Sequence, residues 1–166
     1  MQPTIRSTLR PGDAGAIIAL HGRLYCGEFG YHPCFEGYVA KTFADYLTAP
    51  ASPRDRFWLV EREGELVGSL AILDRGDCAQ LRWFLLLPEL RGKGLGRRLV
   101  EEAVDYCRTA GFPMVYLETA TGLDAAHHLY RSLGFQQLAQ EHAADFWLPG
   151  LKELRFELPL ASKATN

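Results

Sequence analysis

The sequence has few of the features that mark a metal-binding, disulfide-stabilised or membrane-spanning protein. Its four cysteines, Cys26, Cys34, Cys78 and Cys107, form no C-x-x-C pair, which argues against a zinc knuckle and a dense disulfide framework. No apolar run approaches the roughly 20 residues of a membrane-spanning helix, and the start of the chain lacks the basic and apolar stretches of a signal peptide. We therefore expect a cytoplasmic protein without a metal and without a membrane partner.

An excess of positive charge is also missing. Eighteen lysines and arginines stand against twenty aspartates and glutamates, giving a formal net charge of -2, so no global positive field would attract nucleic acid. Neither an internal repeat nor a Ser/Gly-rich linker interrupts the chain. Its 166 residues, of which 48% are hydrophobic and 23% charged, are typical of one globular domain. We expect that domain to span residues 1–166, with a core over about 4–158.

Hydrophobic alternation predicts a sheet built largely from neighbouring strands. Strands are predicted at residues 5–9, 57–60, 66–73, 81–87, 114–117 and 154–158, with one more beginning at Phe135. Short polar turns at 63–64 and 75–77 join three of these strands, which are therefore expected to pair antiparallel in sequence order.

Four helices are predicted between the strands. The first runs from Asp13, which is placed to cap it, to about Tyr25, and a loop over residues 27–33 follows. The fourth covers residues 123–133 and is closed by Gly134. The buried stripes are Phe35, Val39, Phe43 and Leu47 in the second helix, and Leu95, Leu99, Val100, Ala103, Val104 and Cys107 in the third. Together these elements predict one α/β layered domain with a mixed sheet.

The turn at residues 91–96, RGKGLG, leads from a strand into the third helix. Backbone N–H groups at a helix start lack internal partners and lie at the positive end of the helix dipole, so they attract anions. Glycine at positions 92, 94 and 96 lets the backbone approach a phosphate closely. The spacing fits neither a P-loop nor a dinucleotide-binding fingerprint. The pattern favours a pyrophosphate cradle, and the alternative is a glycine-rich helix entry without a ligand.

Two stretches of the chain form a pair of motifs in register. Residues 86–99, LLPELRGKGLGRRL, contain an Arg-x-x-Gly-x-Gly motif at residues 91–96. Residues 129–135, LYRSLGF, end a helix in Leu-Tyr-x-x-x-Gly-Phe. The pair resembles the GNAT superfamily of N-acetyltransferases. The pattern over residues 25–35, together with residues 117–119, also resembles acetyltransferase domains fused to MarR-type regulators. The resemblance implies a mixed, mostly antiparallel sheet of six to seven strands flanked by about four helices. It also implies acetyl-CoA as cosubstrate and an amine acceptor, and it allows a homodimer.

The resemblance assigns cofactor contacts to particular residues. The amide of Leu86 is expected to polarise the thioester carbonyl, and the guanidinium groups of Arg98 and Arg131 either reach a further phosphate or are solvated. The residues expected to hold acetyl-CoA are Phe84, Leu85, Leu86, Arg91, Gly92, Lys93, Gly94, Leu95, Gly96, Arg97 and Tyr130.

Tyr130 is implied as the general acid of a direct attack by the amine on the thioester in a ternary complex. A phenol within hydrogen-bonding reach can protonate the departing thiolate. The alternative is a core tyrosine, because Leu123, Ala126, Tyr130 and Leu133 share one helix face. A second class of function, a sensor that binds acetyl-CoA without turnover, also remains open.

The amine must lose a proton, and the central strand lacks the carboxylate that many family members place there. Glu118 is the predicted substitute, and pairing with an arginine is its structural alternative. Leu123 stands where the family often has an asparagine. His127 and His128 are predicted at the surface.

The segment after the first helix is rich in aromatic and acidic residues. Glu28, Tyr31 and His32 are predicted to bind a cationic amine, either of a small molecule or of a protein, through ring faces and charge. The alternative is that the aromatic rings only pack the loop against the core.

Overall fold

A computed structural model describes residues 2–160 of the chain. Seven strands and four helices follow one another along it. The strands are β1 Thr4–Arg6, β2 Arg56–Arg62, β3 Glu65–Asp74, β4 Ala79–Leu86, β5 Met114–Ala120, β6 Gln136–Ala143 and β7 Lys152–Pro159. The helices are α1 Asp13–Phe29, α2 Cys34–Thr48, α3 Leu95–Thr109 and α4 Asp124–Ser132. The predicted fold class is therefore confirmed, as are the three consecutive antiparallel strands β2, β3 and β4.

The seven strands form one sheet in the order β1-β2-β3-β4-β5-β7-β6. Every neighbouring pair is antiparallel except β4 and β5, which run parallel. These two strands pair only at their first residues, Ala79 with Val115 and Gln80 with Tyr116. Beyond Gln80 they diverge, so the middle of the sheet opens toward the end of β4.

The sheet lies between two helical layers, and the alternation along β2 shows why. Phe57 and Leu59 point into a core shared with α1 and α2, whereas Trp58 and Val60 point into a core shared with α3 and α4, because successive side chains of a strand face opposite ways. The predicted stripe of α3 fills the second core: Leu99, Val100, Ala103, Val104 and Cys107 are buried there and Leu95 is partly buried.

The start of the first helix differs from the sequence-based prediction. Gly12, at a φ of 94°, precedes the helix, and no side chain caps it. Asp13 is instead held by Arg6, with Nη1 2.8 Å and Nη2 2.6 Å from its carboxylate oxygens, and accepts from the amide of Arg10 at 2.5 Å. The helix also continues to Phe29, so residues 27–29 of the predicted loop are helical.

The last turn of the second helix also corrects the prediction. Leu47 is 55% exposed, although it continues the spacing of Phe35, Val39 and Phe43. Tyr46 takes its place against the core, with its ring 5.6 Å from that of Trp83. At roughly 3.6 residues per turn, each step of four residues advances about 40° beyond a full turn, so Leu47 lies about 120° around the helix axis from Phe35.

No helix within residues 2–160 is long and apolar enough to cross a membrane. In the same part of the chain, no three His, Cys, Asp or Glu side chains cluster as a metal site would require. All four cysteines are free thiols, and burial raises the pKa of Cys107 to about 12.

Candidate active site

The divergence of β4 and β5 opens a cleft of about 620 Å³. Its lining includes Leu86 and Tyr130 from the α3/α4 side of the sheet and Phe35 and Trp83 from the α1/α2 side. The cleft therefore reaches both faces of the sheet.

A β-bulge at Trp83 contributes to the divergence. Arg82 pairs with Ala71 and Leu85 with Ser69, so two residues of β4 stand opposite one residue of β3. Trp83 has a φ of 48°, which is rare for a bulky residue. Its carbonyl accepts from the hydroxyl of Ser69 at 2.5 Å, and its ring stacks on Phe43 at 3.8 Å. A bulge bends its strand and increases its twist, so β4 turns away from β5.

The backbone of Leu86 faces the open side of β4. The amide of Leu87 donates to the carbonyl of Val67 on β3 at 3.0 Å, and neighbouring residues of a strand turn their backbone groups to opposite sides. The Leu86 carbonyl accepts from Nε of Arg91 at 2.9 Å. Its N–H is left directed at the cleft, in position to donate to a ligand.

The turn before α3 forms a cradle of backbone N–H groups. Gly92 and Gly94 have φ values of 71° and 81°, which other residues rarely adopt. Between residues 2 and 160, no backbone acceptor pairs with the N–H groups of Gly92, Lys93 and Gly94. A Cβ on Gly96 would lie 3.5 Å from Phe84 and Leu86, so glycine brings the helix close to β4. The turn therefore presents unpaired donors at the positive end of a helix dipole.

The positive side chains around the cradle fall into two groups. Arg91 and Arg97 line the cleft; Nη1 of Arg91 donates to Glu28 Oε1 at 2.5 Å, and Nη2 of Arg97 donates to Ser132 Oγ at 2.6 Å. The other three are engaged outside the cleft. Lys93 donates to the carbonyl of Glu89 at 2.8 Å, Arg98 to Glu102 at 2.8 Å and Arg131 to Gln137 at 2.8 Å. Leu95 packs against the core rather than lining the cleft.

Tyr130 lies at the wall of the cleft on the α3/α4 side. Only 5% of the residue is exposed, and its ring is 6.4 Å from Phe84 and 5.9 Å from both Phe135 and Phe156. Burial raises the pKa of its hydroxyl well above the usual value, with a smaller contribution from Tyr25. The phenol is therefore protonated at neutral pH and can donate a proton into the cleft.

Two carboxylates line the cleft on the α1/α2 side. Glu118 stands on β5, and Glu153 stands on β7 opposite Ala120, so the two are diagonal neighbours on one face of the sheet. Burial raises the pKa of Glu153, and the charge of Glu118 raises it further. Sequence reasoning missed Glu153, because only the pairing of β5 with β7 brings it beside Glu118.

The wall opposite these carboxylates is aromatic. Tyr25, Tyr31, Phe35, Tyr38 and Trp147 all line the cleft. Tyr31 is 4% exposed, and its ring packs 5.1 Å from Phe35 and 5.2 Å from Tyr25. In residues 2–160, neither the Tyr31 hydroxyl nor the Trp147 indole N–H has a hydrogen-bond partner, although both are buried.

Of the other residues predicted to bind the acceptor, one lines the cleft and one lies outside it. Glu28 lines it beside Arg91, whereas His32 is exposed outside it, with Nδ1 accepting from the amide of Cys34 at 3.1 Å. Leu123 lines the cleft as well. The prediction that His127 lies at the surface is wrong: the residue is 4% exposed, because it shares the inner face of α4 with Tyr130, and its ring lies 5.4 Å from Phe156.

His21 is a further cleft residue that the sequence did not single out. Its Nδ1 is 2.8 Å from the carbonyl of Ile17, an acceptor, so Nδ1 carries the proton. Burial lowers the pKa of the imidazole to about 4, with a smaller effect from Arg82. The ring is therefore neutral near pH 7, and its Nε2 can accept a hydrogen bond.

The fold places unpaired backbone N–H groups, a phenol and carboxylates around one cleft between two splayed strands. The Acetyltransferase (GNAT) family model matches residues 24–135. The match covers more than half of the chain, so this protein belongs to that family.

Two relatives illustrate the similarity in sequence. The uncharacterized N-acetyltransferase YjgM of Escherichia coli is 38% identical over 53% of this chain and 55% of its own length. The N-alpha-acetyltransferase RimI of Mycobacterium tuberculosis is 30% identical over 82% of this chain and 81% of its own. The chain thus spans little more than half of YjgM and most of RimI.

Two solved structures share the fold. The ribosomal-protein-S18-alanine N-acetyltransferase of Escherichia coli superimposes with a TM-score of 0.69 at 24% identity, covering 99% of both chains. The spermidine N-acetyltransferase of Vibrio cholerae, in complex with CoA and spermine, gives 0.67 at 23% identity, covering 97% of both.

Proposed function

We propose that this protein transfers the acetyl group of acetyl-CoA to a primary amine. The observation that carries the proposal is the cleft between β4 and β5, where the free amide of Leu86, the cradle at Gly92–Gly94 and the hydroxyl of Tyr130 meet. The names of its relatives support the reaction class, since RimI and the spermidine enzyme both act on amines.

The residues present fit acetyl-CoA. The unpaired N–H groups at Gly92, Lys93 and Gly94 would hold the pyrophosphate, with Arg97 close by. Phe84, Leu85 and Leu86 would flank the pantetheine arm as an edge strand does, because β5 leaves their backbone unpaired on that side. When bound, acetyl-CoA supplies the activated acyl group. The N–H of Leu86 would stabilise the negative charge that develops on its carbonyl oxygen.

Tyr130 would act as the general acid. Its raised pKa keeps the phenol protonated at neutral pH, so its Oη can donate a proton to the departing sulfur. The packing of its ring by Phe84, Phe135 and Phe156 would hold that hydroxyl in place.

The proton acceptor would be the pair Glu118 and Glu153. A free amine is mostly protonated at neutral pH, and these carboxylates line the cleft on the α1/α2 side of the sheet, where an acceptor amine would meet them. The raised pKa of Glu153 brings its basicity closer to that of a useful general base. The alternative of a non-catalytic sensor was favoured by the absence of a carboxylate from the central strand. Glu118 and Glu153 supply carboxylates to the cleft from neighbouring strands.

The proposal is tested by following free thiol release from acetyl-CoA with a panel of amines. We expect Tyr130→Phe to lower kcat by roughly a hundredfold or more while its Kd for acetyl-CoA stays unchanged, because only a proton donor is lost. Tyr106→Phe is the matched control, since that hydroxyl donates to the carbonyl of Arg54 away from the cleft. Equal rates for wild type and Tyr130→Phe would remove Tyr130 from the mechanism.

A further inference from the structure

Arg82 is a charged residue of the cleft that the proposed reaction does not use. It stands on β4 beside the bulge, and its side chain lines the cleft on the α1/α2 side. Within residues 2–160 it has no carboxylate partner; its one hydrogen bond is from Nη2 to the hydroxyl of Tyr38 at 3.1 Å. A guanidinium has five N–H donors, so most of its hydrogen-bonding capacity is left for a ligand.

The surroundings of Arg82 hold the guanidinium in place. Its Cζ lies 5.6 Å from the ring centre of Trp83 and 6.0 Å from that of Tyr38. Such stacking positions an arginine for planar, two-point recognition of a carboxylate. The unpaired N–H of Trp147 is on a neighbouring ring, 4.8 Å from Tyr38. The Trp147 N–H is buried, so the donors that this wall of the cleft offers to an anionic group are those of Arg82.

Two carboxylates of the same cleft are also available to pair with a ligand. Glu118 and Glu153 line the same cleft, and over residues 2–160 neither forms an ion pair within 4.0 Å. Arg82 is close enough to act on the pKa of Glu153, which it lowers, but it does not contact the carboxylate. A positive and a negative group thus face one cavity with a gap between them.

We infer that the acceptor is a small molecule carrying both an amine and a carboxylate, with Arg82 binding the carboxylate and Glu118 and Glu153 receiving the ammonium. This inference rests on the proposed function. The free donors of Arg82 and the carboxylates of Glu118 and Glu153 line the same cleft, so such a ligand pairs both charges at once. The aromatic rings of Phe35 and Tyr38 complete the site, so an amino acid with an apolar side chain fits it best. A diamine would instead bring a second cation toward Arg82.

The test compares acceptors that share one apolar body. Thiol release from acetyl-CoA is measured with L-phenylalanine, L-phenylalanine amide and phenethylamine. Because these amines are protonated to different extents, kcat/KM is calculated from the concentration of the unprotonated amine. We expect wild type to prefer phenylalanine by roughly a hundredfold or more, since a site built for a charged group rejects analogues that lack it. Arg82→Gln should abolish the preference, and Arg82→Lys should retain part of it.

Arg56→Gln is the control for a strand arginine outside the cleft, because Arg56 packs on Trp58 and Tyr106; it should leave the preference unchanged. Equal use of phenylalanine and phenethylamine by wild type would overturn the inference, as would an unchanged preference in Arg82→Gln. Faster release with a peptide beginning in glutamate than with any free amino acid would overturn the small-molecule assignment. Absence of thiol release with every amine would refute the proposed function itself.

Discussion

The ionisation of Glu153 links the structure to a dependence of rate on pH. Burial and the charge of Glu118 raise the pKa of this carboxyl, while His142 and Arg82 act in the opposite direction. Only the ionised carboxylate can accept a proton, so kcat/KM should rise as pH increases through that raised pKa. The neutral His21 faces the same cavity, with its pKa lowered to about 4 by burial, and should titrate below this range.

We predict that Glu153→Gln lowers kcat/KM by roughly a hundredfold and removes or displaces the acidic limb of the pH profile. Glu157→Gln is the control on the same strand, because Glu157 pairs with Arg155 at 2.8 Å outside the cleft. A full acidic limb and an unchanged rate in Glu153→Gln would show that another group takes the proton. The measurement is a pH series of initial rates at saturating acetyl-CoA.

At the scale of single residues, the sequence predicted candidate residues on both sides of the cleft but missed Glu153 and Arg82. Tyr130 and Gly94 belong to short contiguous motifs, and the resemblance of that pair of motifs to the GNAT superfamily predicted them at one site. Glu153 and Arg82 line the same cleft only because β7 pairs with β5 and because β4 contains a bulge. Both are long-range features. Tyr31 was expected as a ligand contact, and its ring lies at the wall of the cleft with its hydroxyl buried.

At the scale of elements, the turn into α3 is where we propose that the phosphates of acetyl-CoA bind. Gly94 has a φ of 81° and open space around its Cα, so a longer side chain fits sterically but adds backbone strain. We predict that Gly94→Glu weakens binding of acetyl-CoA at least about tenfold, because its carboxylate repels phosphate and cancels the helix dipole. Titration calorimetry measures the change directly.

Gly12→Glu is the matched control for this prediction. Gly12 also precedes a helix, with a φ of 94° and open space at its Cα, but it lies outside the cleft. The two variants therefore share strain and added charge. Equal losses of acetyl-CoA affinity in both would mean that the cradle at Gly94 has no special role.

The elements themselves were predicted unevenly. The stripe of α3 is continuous and strongly one-sided, and the structure buries it as expected. The stripe of α2 predicted Leu47 in the core, yet the drift of a strict four-residue spacing around the helix leaves Leu47 exposed. The bulge at Trp83 has no sequence signal, because a positive φ in a tryptophan is imposed by its packing on Phe43 and by the Ser69 hydroxyl.

At the scale of the whole molecule, an ion-pair network ties the first strand to the first helix and the sheet. Arg6 donates to Asp13 and, through Nε at 2.8 Å, to Glu61 on β2. Burial acts to raise the pKa of Asp13, but the bonds from Arg6 and the amide of Arg10 outweigh it and lower the pKa. Its contribution to folding is therefore present at neutral pH and lost as pH falls through the unfolded value of about 3.9 and then the folded pKa.

We predict that Asp13→Asn lowers the free energy of unfolding at pH 7 by about 1–3 kcal/mol and makes its decrease toward acid pH shallower. Asp45→Asn should cost less than about 1 kcal/mol, because its pair with Lys41 is exposed on the surface of α2. Urea unfolding at several pH values measures both. Parallel pH curves for wild type and Asp13→Asn would contradict this role for the network.

The most direct test of the account is whether acetyl transfer occurs in step with thiol release. Wild-type protein is incubated with acetyl-CoA and L-phenylalanine, free thiol is titrated, and the acetylated amine is quantified by mass spectrometry. The proposed acetyl transfer predicts one acetylated product for each thiol released and no release without the amine. Tight binding of acetyl-CoA with neither thiol nor acetylated product, across the whole amine panel, would contradict it and identify the protein as a sensor.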